Sequence, residues 1–178
     1  MKILVLTFYY KPDLSAGSFR TTAFVDELQK LVDKDTQIEV ITTLPNRYHS
    51  FEQKALASEI VGNVTIRRIK LPVHKSGMLD QSRAFMMYAF EVFRIIRSNE
   101  YDLVFATSSR LFTAFLGSLV ARKTKAKLYL DIRDIFTDTL KDVLKNRLLR
   151  LLIPVFLQVE KFTIRSACRV NLVSQGFL

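Results

Sequence analysis

Lys2-Ile-Leu-Val-Leu-Thr-Phe8, then Tyr9-Tyr-Lys-Pro-Asp-Leu-Ser-Ala-Gly17, then Ser18 to Val32: the reading of this opening stretch decides the fold. The first segment is an apolar run without alternation, which predicts a strand buried on both faces. The last segment has helical spacing, with Phe24, Leu28 and Leu31 on one side. A strand buried on both faces and followed by a helix is the first half of a βαβ unit, so a parallel sheet is expected.

The rest of the chain repeats that order. Further strands are expected at Gln37–Thr42, Asn63–Ile69 (ended by Pro72), Tyr101–Ala106, Lys127–Asp131 and Arg169–Val173. Helices are expected at Gln81–Ser98, at Leu111–Lys123 and across Leu140–Ser166, where Pro154 would bend the chain around the core. Pro45–Gly62 reads as a long loop with a short helix near Gln53–Ile60. The predicted class is α/β: a doubly wound, mainly parallel Rossmann-like sheet with helices on both faces. The sequence ends at Ser174-Gln-Gly-Phe-Leu178, where a doubly wound domain places another helix, so residues 1–178 are expected to be a cut chain, either one domain of a longer protein or a truncated reading frame.

Composition narrows the classes. The 178 residues suffice for one domain with a full core, and five glycines and four prolines are too few for a disordered or fibrous chain. The single cysteine, Cys168, excludes an internal disulfide and a thiolate zinc cluster; it reads as a packed core residue and fits a reducing, cytoplasmic setting. The apolar start could pass for a secretion signal, but it runs into Lys11-Pro12-Asp13 without a small-residue cleavage site. The net charge of +10 suits nucleic acid, anionic lipid or phosphorylated substrates. Recognition helix, zinc finger and aromatic platform motifs are all missing from the sequence, so nucleic acid is not an expected partner.

Ligands of open parallel sheets bind beyond the carboxyl ends of the strands. After the first strand come Tyr10, then Ala16, Gly17, Ser18 and Arg20 at the start of a helix. Glycine there can adopt backbone conformations closed to other residues and lets a ligand approach closely, and a helix N-terminus suits phosphate. The loop matches neither dinucleotide nor Walker patterns, and a helix cap is the plainer reading. Thr107, Ser108 and Ser109 follow the fourth strand and could bond a sugar or phosphate, or cap the next helix. The densest polar run is Asp131-Ile-Arg-Asp-Ile-Phe-Thr-Asp138. Its carboxylates have no histidine fixed beside them, and His49 and His74 show no ligand spacing, so no metal is expected. Arg133 and Asp134 could orient a bound hydroxyl or phosphate, or form an ion pair that fixes the loop.

Taken in order, these motifs carry a resemblance. Tyr-Tyr-x-Pro after the first strand, Ser15-Ala-Gly-Ser-Phe-Arg20, Thr107-Ser-Ser109, Arg133-Asp-Ile-Phe136, and Glu160 leading to Ala167-Cys-Arg-Val-Asn-Leu-Val-Ser174 together resemble family 4 of the GT-B glycosyltransferases. The likeness runs the length of the chain and is greatest to bacterial enzymes of polysaccharide and O-antigen assembly similar to fucosamine transferases. It implies two Rossmann-like domains flanking a cleft, with this chain as the acceptor-side half. The donor-binding half would lie outside these residues, so the isolated domain should be inactive. It also implies retaining transfer from a nucleotide-sugar donor without metal or other cofactor. By that resemblance Ala16, Gly17, Ser18 and Arg20 approach the donor phosphates, Tyr10, Thr107, Ser108 and Ser109 meet the acceptor, and Arg133 and Asp134 are catalytic. The chain departs from the family's usual pattern at Ala16-Gly17 (often two glycines), Phe136-Thr137 (often Trp-Pro) and Arg110 (often Pro), which loosens the identity of donor and acceptor.

Enzymes of this kind often act on lipid-linked acceptors at the inner face of the plasma membrane. Arg83 and Arg94 share a face of the Gln81–Ser98 helix with Arg97, and Met86, Met87 and Phe90 lie on or beside it; Phe85, Ala89, Val92 and Ile96 lie opposite, as core. Apolar residues among arginines fit an anionic membrane surface, although a partner domain could cover them equally. A second basic stripe, Arg147, Arg150, Lys161 and Arg165, reads as a solvated face. Two other functions suit the same fold: a stand-alone acceptor-binding or membrane-recruiting subunit, and an unrelated nucleotide-binding Rossmann protein.

Overall fold

The computed structural model describes residues 1–45, 55–72, 78–108, 111–133 and 153–173. Its elements in chain order are β1 (Lys2–Leu6), α1 (Ala16–Leu31), β2 (Gln37–Thr43), β3 (Ser58–Val61), β4 (Val64–Ile69), α2 (Met78–Ile96), β5 (Leu103–Thr107), α3 (Leu111–Thr124), β6 (Lys127–Ile132), α4 (Ile153–Arg165) and β7 (Arg169–Leu172). The seven strands form one sheet in the order β3-β4-β2-β1-β5-β6-β7. Every pairing is parallel except that of β3 with β4. This is the doubly wound, Rossmann-like α/β architecture. The strand order reverses between β1 and β5, and such a switch point opens a crevice at the strands' carboxyl ends.

The apolar opening strand is buried throughout because both faces are covered. Ile3 and Val5 join a core with Val25 of α1, whereas Leu4 and Leu6 join a second core with Tyr88 and Val92 of α2 and with Ala114 and Val120 of α3. On the first face Phe24 stacks on Phe105 at 4.0 Å between ring centroids. On the second, Gly117 brings α3 close to β5: a Cβ there would run into the Cβ of Ala106. The hydroxyl of Tyr88 sits 2.9 Å from the carbonyl oxygen of Ile41 and 3.1 Å from that of Thr7, so its one proton serves both strand ends and fixes α2 against them.

Two expectations are corrected. Ser58–Val61 forms an edge strand where a short helix was expected near Gln53–Ile60. Val61 pairs with Val64 across a two-residue turn, and Gly62 takes φ +61 at its first position, where a type II′ hairpin turn calls for glycine. Of the helix expected across Leu140–Ser166, the described part is helical as α4, which contains Pro154; residues 140–152 lie outside the described residues. Cys168 is exposed: it precedes the edge strand β7, and its thiol donates to the carbonyl of Leu128 at 3.0 Å.

Candidate functional site

β6 carries its core side chains, Leu128, Leu130 and Ile132, toward α2 and α3. Alternation therefore turns Asp131 to the α1 face, where it is buried at 3% exposure. Arg20, one turn into α1, meets it with a two-pronged pair: Nε donates to Oδ2 at 3.0 Å and Nη2 to Oδ1 at 2.8 Å. Asn171 of β7 adds a bond from Nδ2 to Oδ1 at 2.7 Å. Burial pushes the Asp131 carboxyl up, but the hydrogen bonds from Arg20 and Asn171 and the charges of Arg20 and Arg133 outweigh it and hold the group below its ordinary range. The same bond from Asp131 raises the pKa of Arg20.

Arg133 completes the cluster. Its backbone N–H donates to Ser108 Oγ at 2.7 Å, and its Nη2 donates to the carbonyl of Ala16 at 3.3 Å. The Ser108 N–H in turn donates to the Asp131 carbonyl at 2.9 Å. Residues from α1, β7 and the ends of β5 and β6 thus converge at the carboxyl edge. Two guanidinium groups stand there beside the N-terminus of α1, which itself favours negative charge.

The loop from β1 to α1 is held from several sides. Thr43 Oγ1 donates to the Phe8 carbonyl at 2.7 Å, and Thr7 Oγ1 to that of Tyr9 at 2.9 Å. Arg68, a buried arginine, donates from Nη2 to the Lys11 carbonyl at 2.9 Å and from Nη1 to Glu59 and to the Leu56 carbonyl. The Lys11–Pro12 peptide bond is cis. Ser15 caps α1, its Oγ accepting the Ser18 N–H at 3.1 Å. A loop tied down this way presents the start of α1 in one geometry, a useful property in a binding site.

Of the residues singled out from sequence, the structure brings together Ala16, Arg20, Ser108 and Arg133. Gly17 and Ser18 lie buried in the first turn of α1. Gly17 has helical backbone, so it does not supply the special conformation expected of it. Thr107 is buried at the end of β5. Tyr10 is buried in the core beneath α1, and burial pushes its hydroxyl pKa up. Ser109, Asp134, Arg147, Arg150, His49 and His74 lie outside the described residues. Sequence reasoning missed Asp131 as the hub and Asn171 as its partner; the signal was a carboxylate closing the otherwise apolar run Leu128-Tyr-Leu-Asp131. Among the described residues no three His, Cys, Asp or Glu side chains gather where they could hold a metal ion. Arg83, Met86, Met87, Phe90 and Arg94 are all exposed on α2, and no described helix is long and apolar enough to cross a membrane.

No protein-family model matches the sequence, and no curated protein matches it. Among solved structures the chain is similar to a ugt transferase from Siraitia grosvenorii, crystallised in complex with UDP. The identity is 17%, the likeness covers 82% of this chain and 32% of that one, and the TM-score is 0.42. The chain therefore spans about a third of that protein's length. The Rossmann-like assignment rests on the strand order of this chain itself.

Proposed function

We propose that this domain is the acceptor-side half of a GT-B glycosyltransferase that moves a sugar from a nucleotide-sugar to a saccharide acceptor. The ordered series of motifs supplies the class. The observation that carries the reading is the meeting of Arg20 and Arg133 over the start of α1, at the sheet's carboxyl edge. Sugar transfer leaves a nucleoside diphosphate that gathers negative charge as the bond breaks. Fixed cationic donors aimed at that charge stabilise the transition state more than the ground state. Two guanidinium groups can perform that role without a metal ion.

In this reading a second domain holds the nucleotide, and the α1 edge approaches the phosphates from across a cleft. Asp131 acts through Arg20, keeping its guanidinium in place. Ser108 shapes the backbone before Arg133, and Asp134, next in sequence, stands beside the acceptor. The finer reading follows the family resemblance: retaining transfer to a lipid-linked saccharide in bacterial cell-surface polysaccharide assembly, carried out in the cytoplasm at the inner face of the plasma membrane.

An NMR titration of the chain with UDP-, GDP- and TDP-sugars tests the reading. Weak, millimolar shifts confined to the amides around Gly17, Arg20, Ser108 and Arg133 are expected of a half-site. Micromolar binding specific for one nucleotide would overturn it in favour of a nucleotide-binding Rossmann protein with its own complete site.

A further inference from the structure

Alternation along β4 turns Val64, Ile66 and Arg68 to the α1 face, and all three are buried. The first two are core. The third, near the carboxyl end of the strand, is an arginine whose side chain is 3% exposed. Its guanidinium spans three segments. Nη2 donates to the Lys11 carbonyl in the loop before α1 at 2.9 Å, and Nη1 to the Leu56 carbonyl at 3.0 Å and to Glu59 Oε2 at 2.9 Å. Lys11 is fastened on its other side to α1: its N–H donates to Thr22 Oγ1 at 3.3 Å and its Nζ to Asp26 Oδ1 at 2.9 Å. A continuous chain of contacts therefore runs from the edge strand β3 through Arg68 and Lys11 to the helix that carries Arg20. Fold stability alone would favour another side chain. Burying a guanidinium is costly unless its donors are paired, and Nε is buried with no acceptor among the described residues. An apolar residue would extend the row of Val64 and Ile66 at lower cost. What the guanidinium supplies is a planar fork that fixes three segments relative to one another.

We infer that Arg68 is a positioning residue for the carboxyl-edge cluster: it acts through Lys11 to set the start of α1, and with it the direction in which Arg20 meets a ligand. The backbone at Ser108 and Arg133 is held separately, by the bonds that join the ends of β5 and β6. Arg68 therefore governs the α1 side of the cluster and leaves the β6 side in place. That the positioned helix serves a nucleotide-sugar rests on the glycosyltransferase reading; the hold of Arg68 on α1 does not.

Amide hydrogen exchange of the chain without nucleotide is the first readout. The N–H groups of Ser18 and Phe19 are bonded to Ser15 at the start of α1. In Arg68→Met their exchange should quicken about tenfold, with that of the C-terminal half of α1 unchanged. Arg68→Lys keeps the charge without the fork and should restore little of the protection. Should Arg68→Met fail to fold, Glu59→Gln takes its place: Glu59 is 38% exposed, and its loss should quicken the same two amides about threefold. The second readout is titration with UDP-, GDP- and TDP-sugars. Shifts at Gly17 and Arg20 should weaken several-fold in the Arg68 or Glu59 variant, while those at Ser108 and Arg133 persist. The inference is overturned by unchanged exchange at Ser18 and Phe19, by full protection in Arg68→Lys, by a rise spread evenly over the chain (the mark of simple destabilisation), or by shifts at Gly17 and Arg20 that keep their parent strength. A parent that shows no shifts at all would contradict the transferase reading instead, and exchange would still decide the role of Arg68.

Discussion

Glu39 and Asp131 are two buried carboxylates at opposite ends of one sheet, and they are held differently. Glu39, toward the amino end of β2, accepts from Tyr101 Oη at 2.8 Å and from Arg67 Nε at 2.7 Å, with Lys2 Nζ at 3.4 Å. Lys2 is itself engaged twice more, donating to Asn99 and lying over the Tyr101 ring. That network folds back on itself and closes the bottom of the sheet. Asp131 sits at the carboxyl end, and its partner Arg20 is 38% exposed. Two of the five N–H donors of Arg20 go to Asp131, and among the described residues the others meet no protein acceptor. The same pairing chemistry therefore serves fold at one end and presents unspent cationic donors to solvent at the other. The strand direction decides which end does which, because loops free to carry a site gather at the carboxyl edge.

The largest effect that should sharpen this contrast is that of Glu39→Ala. It leaves the Tyr101 hydroxyl without its acceptor and two cations without their counter-charge, although Arg67 and Lys2 are exposed enough to regain water. A loss of about 2–3 kcal/mol is expected in urea unfolding, with no change at the carboxyl edge. If ligand-induced shifts around Arg20 vanish as well, the two ends are not independent. Asp131→Ala should cost less, about 1–2 kcal/mol, because the exposed Arg20 is partly rehydrated. It should instead loosen Arg20 and blur the site's response to nucleotide, which the Glu39 variant should leave intact.

The smallest effect is in pH. The folded-state pKa of Asp131 is depressed, so its contribution is fully present above the ordinary carboxylate range and lost as pH falls through the lower folded value. Stability should therefore decline from about pH 4 downward, and the decline should be shallower in Asp131→Ala. An equal slope in parent and variant would show that Asp131 carries no such linkage.

Much of this was legible in the sequence, and what was missed has physical causes. The buried β1 and the alternating order of elements fixed the class because double-sided burial leaves an unbroken apolar run. The hairpin of β3 and β4 was missed although Gly62-Asn63 stands between two apolar runs; Ser58–Val61 is a short, exposed edge strand with little periodicity to read. At the site, Arg20, Ser108 and Arg133 were legible as polar residues after strands. Their convergence was not, since the bond from Arg20 to Asp131 joins residues 111 positions apart. Asn171 was unremarkable in sequence and acquires its role only through the pairing of β6 with β7.

The central claim is that the carboxyl-edge cluster faces a ligand while the amino-edge cluster does not. The most direct measurement repeats the nucleotide-sugar NMR titration on parent, Arg20→Met and Arg133→Met chains. The account predicts shifts around the start of α1 and the end of β6 in the parent, weakened several-fold in each variant, with the amides of Glu39 and Tyr101 still throughout. Shifts that are unchanged in both variants, or that centre on the Glu39 network, would contradict it.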